Sequence, residues 1–224
     1  MSELKNKTIA EIVSEDISTA SVFKKYHIDF CCGGGKTVEN ACIKANINVD
    51  DVINDLINNT PKNNTPTLNF KDWTAEFLVD YIVNVHHTYV KENMDIIHEF
   101  ATKVATVHGH HATETIEIAE LFSNLREELY SHLEKEENIL FPAIKMKAID
   151  DNYQYDKAVI DILEDEHEHA GDIVKKITLL SDNFTTPEWA CNTFKALYFK
   201  LDEFINDLYQ HIHLENNILF AKVK

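Results

Sequence analysis

A ten-residue phrase occurs twice in this chain. It reads His132-Leu-Glu-Lys-Glu136-Glu-Asn-Ile-Leu-Phe141, then His211-Ile-His-Leu-Glu215-Asn-Asn-Ile-Leu-Phe220. Both copies follow the pattern H-x-x-x-E-x-N-I-L-F, and they are 79 residues apart. Residues four apart on a helix share a face, with about 5–6 Å between Cβ atoms. Each copy therefore sets an imidazole beside a carboxylate. A charged pair inside an apolar stripe is costly to bury unless something compensates it. Two such pairs can compensate each other's cost by facing one another around metal ions, and this favours helices packed in a bundle.

The apolar periodicity extends that reading. Residues 71–105, 113–147, 155–182 and 187–222 read as four long helices, with Pro187 at the start of the last, where the first helical position favours it. Their breaks are short, as in an up-down-up-down four-helix bundle. The inward stripe of the second helix runs Leu125, Leu129, His132, Glu136, Ile139, Ala143. The third runs Ile160, Leu163, His167, Ala170, Val174, Ile177, and the fourth Leu197, Leu201, Phe204, Leu208, His211, Glu215. On the first, three-and-four counting from Leu78 and Ile82 arrives at His86. His86 and His167 are 81 residues apart, close to the offset of the repeat. Each half of the bundle thus supplies one single histidine and one H-x-x-x-E pair, as a duplicated helical hairpin would.

Ahead of the bundle, residues 1–58 read as a small helical domain. Ile9, Ile12 and Val13 mark one short helix, and Val22, Phe23 and Tyr26 a second, capped by Ser18 or Ser21. Thr37 caps a third, and Asn48 or Asp50 a fourth. Residues 59–70 carry two prolines and little that is apolar, so they read as a linker to the bundle at 71–224. The expected fold class is all-α.

Composition removes several functions. The net charge of −17 opposes binding to nucleic-acid phosphates or an anionic membrane, and suits cations. No apolar run is long enough to span a bilayer. The N-terminus lacks the apolar core of a signal peptide, which suits a cytoplasmic protein.

The six convergent residues are His86, His132, Glu136, His167, His211 and Glu215. No Lys or Arg interrupts their stripes, so cations must balance the buried carboxylates. Imidazole with carboxylate is a mixed nitrogen–oxygen set suited to iron or manganese. Glu166 and Glu137 lie beside the ligand positions and suit a supporting or auxiliary role. His87, His169 and His213 fall off the stripe and are expected to face solvent. His108, His110 and His111 cluster between the first two helices and read as a polar turn, with a surface metal the alternative.

Four cysteines are present: Cys31, Cys32, Cys42 and Cys191. Cys42 and Cys191 read as core residues. Adjacent Cys31 and Cys32 would form a strained disulfide ring, so they are expected as thiols. Gly33-Gly34-Gly35 follows, with a helix start at Thr37 whose amides favour thiolate. The pair is a candidate for redox or iron-transfer chemistry.

Together, Asp29-Phe-Cys31-Cys32-Gly33-Gly34, Ser131-His132 through Pro142, Glu164-Asp-Glu-His167-Glu-His-Ala-Gly171 and the second copy of the repeat resemble the iron–sulfur cluster repair di-iron proteins, the RIC family of ScdA type. The resemblance covers almost the whole chain and implies a hemerythrin-like bundle. It further implies a homodimer carrying two non-haem irons bridged by carboxylates. The family's ligand positions fall on the same six residues. The implied function is repair of clusters damaged by oxidative and nitrosative stress, with the di-iron centre donating iron to damaged iron–sulfur client proteins rather than turning over as an enzyme. Direct reduction of nitric oxide or peroxide at that centre remains an alternative, as does an oxygen-binding hemerythrin-type sensor. Against the sensor, oxygen-carrying hemerythrins have H-x-x-x-H on the third helix and an Asp ligand on the last. Here the residue four after His167 is Gly171, and the last pair ends in Glu215.

Overall fold

In a computed structural model, residues 2–58 and 68–224 are described. The expected linker at 59–70 lies largely outside them. The described residues are helical and contain no β-strand, only an isolated bridge between Thr8 and Thr37. They divide into two compact units, one of Met1–Leu78 with Ile212–Lys224, the other of Val79–His211.

The first unit opens with α1 (Ser2–Asn6), α2 (Ile9–Glu15), a 3-10 turn (Ile17–Thr19) and α3 (Ala20–Lys25), followed by α4 (Val38–Ala45) and α5 (Val49–Asn58). Helix α2 starts at a capping box. The Thr8 hydroxyl accepts from Glu11 N–H (3.1 Å), and the Glu11 carboxylate accepts from Thr8 N–H (2.7 Å). Thr37 caps α4 as expected, and Asn46 ends it in a left-handed conformation that Asn tolerates (φ 55°). Neither Ser18 nor Ser21 caps α3; Asp16 instead accepts from Ser18 N–H and begins the 3-10 turn. Ile9, Val13, Phe23, Val38, Cys42, Val52 and Ile53 form the buried centre. Between α3 and α4 the cysteine–glycine segment folds back on α2, where Ala10 N–H donates to Gly34 O (2.8 Å) and Ile9 N–H to Lys36 O (3.0 Å). A Cβ on Gly34 would meet Phe30 O at 2.6 Å and Ala10 Cβ at 3.0 Å. Glycine is needed there for close approach.

The second unit holds most of the bundle. Its first helical run is α6 (Ala75–Tyr81, entered from the first unit), a π-helical segment (Ile82–His87) and α7 (Thr88–His108). The next is α8 (Glu114–Lys135), a π-helical segment (Glu136–Leu140) and α9 (Phe141–Ile149). Helix α10 (Ala158–Leu180) follows, then α11 (Asn192–Leu214), which runs on into a third π-helical segment (Glu215–Leu219) and α12 (Phe220–Val223) in the first unit. Pro187 does not start the last helix. Asp182, Asn183 and Phe184 all take positive φ, and the chain turns through them before α11 begins at Asn192.

The stripe of α10 is buried as the spacing expects, from Ile160 through Ile177. So are Leu197, Leu201, Phe204 and Leu208 on α11. Phe204 packs edge-on against Phe122 of α8, with centroids 5.5 Å apart. The second run departs from expectation at one point: Ile139 is 57% exposed, while its neighbour Leu140 is fully buried. A π turn holds an extra residue, so a count at constant period slips by one position beyond it.

Candidate metal centre

In the second unit, a single carboxylate is held among four imidazoles. Glu136, the first residue of its π segment, is fully buried. Its Oε2 lies 3.4 Å from His132 Nε2 and 3.3 Å from His87 Nε2. His132 Nε2 is 2.9 Å from His167 Nε2, and His87 Nε2 is 3.2 Å from His211 Nε2. Two donor sets result. His87, Glu136 and His211 bring ligand atoms within 4.8 Å of one another, and so do His132, Glu136 and His167. Glu215 follows His211 by one helical turn on the same run and is fully buried.

One position differs from the sequence expectation. The first-helix histidine gathered with Glu136 is His87, not His86. The cause is again a π turn: Ile82–His87 contains the extra residue that rotates His87 onto the stripe. His87 is therefore buried, not solvent-facing. His86 is also buried, but its Nδ1 pairs with Asp207 Oδ1 at 2.9 Å, and its ring lies parallel to His211 with centroids 5.7 Å apart. It backs a candidate ligand. Each π-helical segment carries one of the candidate ligands, His87, Glu136 or Glu215.

The outer nitrogens are fixed as well. His132 Nδ1 lies 2.9 Å from Glu166 Oε2, and Lys135 pairs with the other Glu166 oxygen. His87 Nδ1 lies 2.8 Å from Glu137 Oε1, and Lys91 donates to both Glu137 oxygens (2.6 and 2.8 Å). The two halves thus share a Lys–Glu–His arrangement. In each, a carboxylate behind the ring orients it and leaves Nε2 facing inward, as in carboxylate–histidine–metal triads. The His132 hydrogen bond, aided by Lys135 against the effect of burial, holds the Glu166 carboxyl down at about 2. Burial raises the Glu137 carboxyl, but Lys91 and His87 outweigh it and leave it lowered. Both stay ionised at neutral pH.

The donor set fits a metal pair. Two imidazole nitrogens facing at hydrogen-bond distance repel through their lone pairs unless a proton or a cation lies between them. Two such pairs on either side of one buried carboxylate match a dinuclear nitrogen–oxygen site.

The cysteine segment belongs to the first unit. Cys31 is buried and Cys32 half-buried, both as free thiols with sulfurs 3.8 Å apart. Asp29 Oδ1 accepts from the Cys31 N–H (3.0 Å) and thiol (3.2 Å). The hydrogen bond to Cys32, burial and the Asp29 charge push the Cys31 thiol well above its ordinary value. The expected thiolate is therefore disfavoured at Cys31: the nearby carboxylate and burial outweigh the amides ahead of α4. Asn217 Nδ2 donates to Cys31 O (2.9 Å), and Asn216 Nδ2 lies 4.0 Å from Cys32 Sγ. Sequence reasoning missed both asparagines. The signal was present, since Asn217 is the Asn of the repeated phrase and sits two residues after Glu215. His213, expected in solvent, is fully buried beside Ser14 (3.3 Å), Phe30 and Asn217 (3.1 Å); burial lowers it to about 4. His169 is exposed, as expected.

Comparison with known proteins agrees with both parts. Residues 78–223 match the hemerythrin HHE cation-binding domain, and residues 5–60 match ScdA_N, a domain of unknown function. A probable iron–sulfur cluster repair protein of Haemophilus influenzae is 37% identical, over 96% of this chain and 95% of its own. The iron–sulfur cluster repair protein ScdA of Staphylococcus epidermidis is 32% identical, over 98% of both chains. YtfE of Enterobacter sp., also named an iron–sulfur cluster repair protein, is 34% identical over 97% of this chain and 96% of its own. The chain belongs to the iron–sulfur cluster repair family. These three relatives are matched over both the thiol-bearing segment and the bundle. The bundle is a hemerythrin-like cation-binding domain, as the sequence resemblance implied. No described helix is long and apolar enough to cross a membrane.

Proposed function

We propose that this protein repairs damaged iron–sulfur clusters in client proteins by supplying iron from two non-haem ions held in the bundle. The observation that carries this reading is Glu136, fully buried with one facing imidazole pair on each side. His87 and His211 would hold one iron and His132 and His167 the other, with the Glu136 carboxylate shared between them. Glu215, one turn beyond His211 on the same helical run, would be a further carboxylate ligand. The names of the relatives, matched over nearly the full chain, supply the repair role. With two imidazoles and shared carboxylates per ion, the chain alone would leave positions on each iron for solvent. Such an open site releases its ion more readily than a closed one. The domain at 1–58 would present Cys31 and Cys32 to receive iron or electrons, or to contact the client. In this reading the protein works as a homodimer in the cytoplasm, under oxidative and nitrosative stress.

The test is iron content and iron transfer. Wild-type protein is expected to hold two irons per chain and to restore a client cluster. Glu136→Leu and Glu215→Leu are expected to lose both properties while keeping helical circular dichroism. Stoichiometric iron in both variants would remove the bridging role.

A further inference from the structure

At the end of α7 remote from Glu136, the second unit gathers another set of metal-ligating side chains. His108 closes α7, and Gly109, His110 and His111 turn the chain toward α8. Across from them lies Cys191, directly ahead of α11. Its Sγ is 3.3 Å from His108 Nε2 although the two residues are 83 apart in sequence. Cys191 is exposed and not the core residue its sequence suggested. His111 Nδ1 and His110 Nε2 are 2.9 Å apart, and the His108 and His111 rings meet edge to face with centroids at 5.4 Å.

The backbone holding these groups is fixed. His111 and Ala112 N–H groups both donate to His108 O (3.0 and 2.9 Å). A Cβ on Gly109 would run into Ala105 O and lie 2.8 Å from Ile116 Cγ1, so the turn requires glycine. Trp189 covers one side, 4.5 Å from the His111 ring and 5.5 Å from the His108 ring, and Phe194 packs on His108 at 5.7 Å. The exposed His110, His111 and Cys191 and the half-buried His108 would rotate for the donors to converge.

We propose that His108, His110, His111 and Cys191 form a second metal site, independent of the iron centre, that takes one zinc-class divalent ion. Three imidazoles and one thiolate are a tetrahedral set, with metal–sulfur bonds of about 2.3 Å and metal–nitrogen bonds of about 2.0–2.1 Å. A thiolate ligand selects against magnesium and calcium. On binding, the thiol proton passes to solvent as the metal–sulfur bond forms, and the three neutral imidazoles donate nitrogen lone pairs. His87 and His108 are separated by the length of α7, about 30 Å at 1.5 Å per residue, so the two sites do not share ligands.

Cobalt(II) titration of the iron-loaded protein tests this. One further equivalent per chain is expected to bind, with a thiolate-to-cobalt charge-transfer band, displacement by zinc, and quenching of Trp189 emission in a Trp73→Phe background. Cys191→Ser is expected to abolish the band and the extra equivalent. His108→Ala is expected to weaken binding at least about tenfold. Both variants should leave the iron content at the wild-type value. Absence of the band, its survival in Cys191→Ser, or unquenched Trp189 would each overturn the proposal.

Discussion

At the residue scale, the site depends on which atoms face the buried carboxylate. His87 and His86 are adjacent and both buried, yet only His87 directs a ring nitrogen at Glu136. His87→Ala is therefore expected to lose iron from one half of the site, whereas His86→Leu should retain both irons with at most weakened binding. Metal analysis of the two purified variants distinguishes them, and equal loss in both would contradict the assignment. Behind the ligands, Glu137 and Glu166 orient His87 and His132. Glu166→Gln keeps the shape but removes the charge, and metal affinity should fall about 10–100-fold, as measured by competition with a chelator. Cys31 gives a pH prediction. Its thiol is raised well above the ordinary value, so its reactive thiolate is scarce at neutral pH and grows only as the solution becomes strongly alkaline. Alkylation followed by mass spectrometry should label Cys32 before Cys31 at neutral pH, and Cys31 at rates that climb steeply with pH. Fast neutral labelling of Cys31 would contradict the buried, Asp29-bonded thiol.

At the scale of the elements, the three π-helical segments matter most. Each places one candidate ligand, and each inserts a residue that constant-period counting cannot see. This is why the stripes of α10 and α11 were legible from sequence while His86 and Ile139 were not. The regular helices obey one period throughout; Ile82–His87 and Glu136–Leu140 break it where ligands must be turned inward. His213 was misread for a different reason. The stripe that counts for it faces the N-terminal helices within the first unit, where Ser14 and Phe30 bury it. Likewise, nothing local in the sequence connects Cys191 to His108. Among the regular helices, packing sets stability. Phe204 is fully buried against Phe122, so Phe204→Ala should cost about 3–5 kcal/mol in urea unfolding. A cost below 1 kcal/mol would show that this part of the core is not closely packed.

At the scale of the molecule, the proposed function would join the acidic chain, the duplicated hairpin and the thiol-bearing segment in one task, holding iron in a form that can be handed on. Folding gathers histidines and a carboxylate that lie far apart in sequence, so bound metal should stabilise the folded state. At free metal about 100-fold above its dissociation constant, one site adds about 2.7 kcal/mol. Chelation is accordingly expected to lower the melting temperature of wild-type protein and to leave that of a Glu136→Leu, Cys191→Ser double variant unchanged. The thiol pair is not a ligand of the centre in this account, so replacing both cysteines by serine should preserve iron content and impair only transfer. The most direct test loads the protein with isotopically labelled iron and incubates it with a client whose cluster has been damaged. The label is expected to leave this protein and appear in the restored cluster. A cluster restored entirely with unlabelled iron, while all the label stays on the protein, would contradict iron donation.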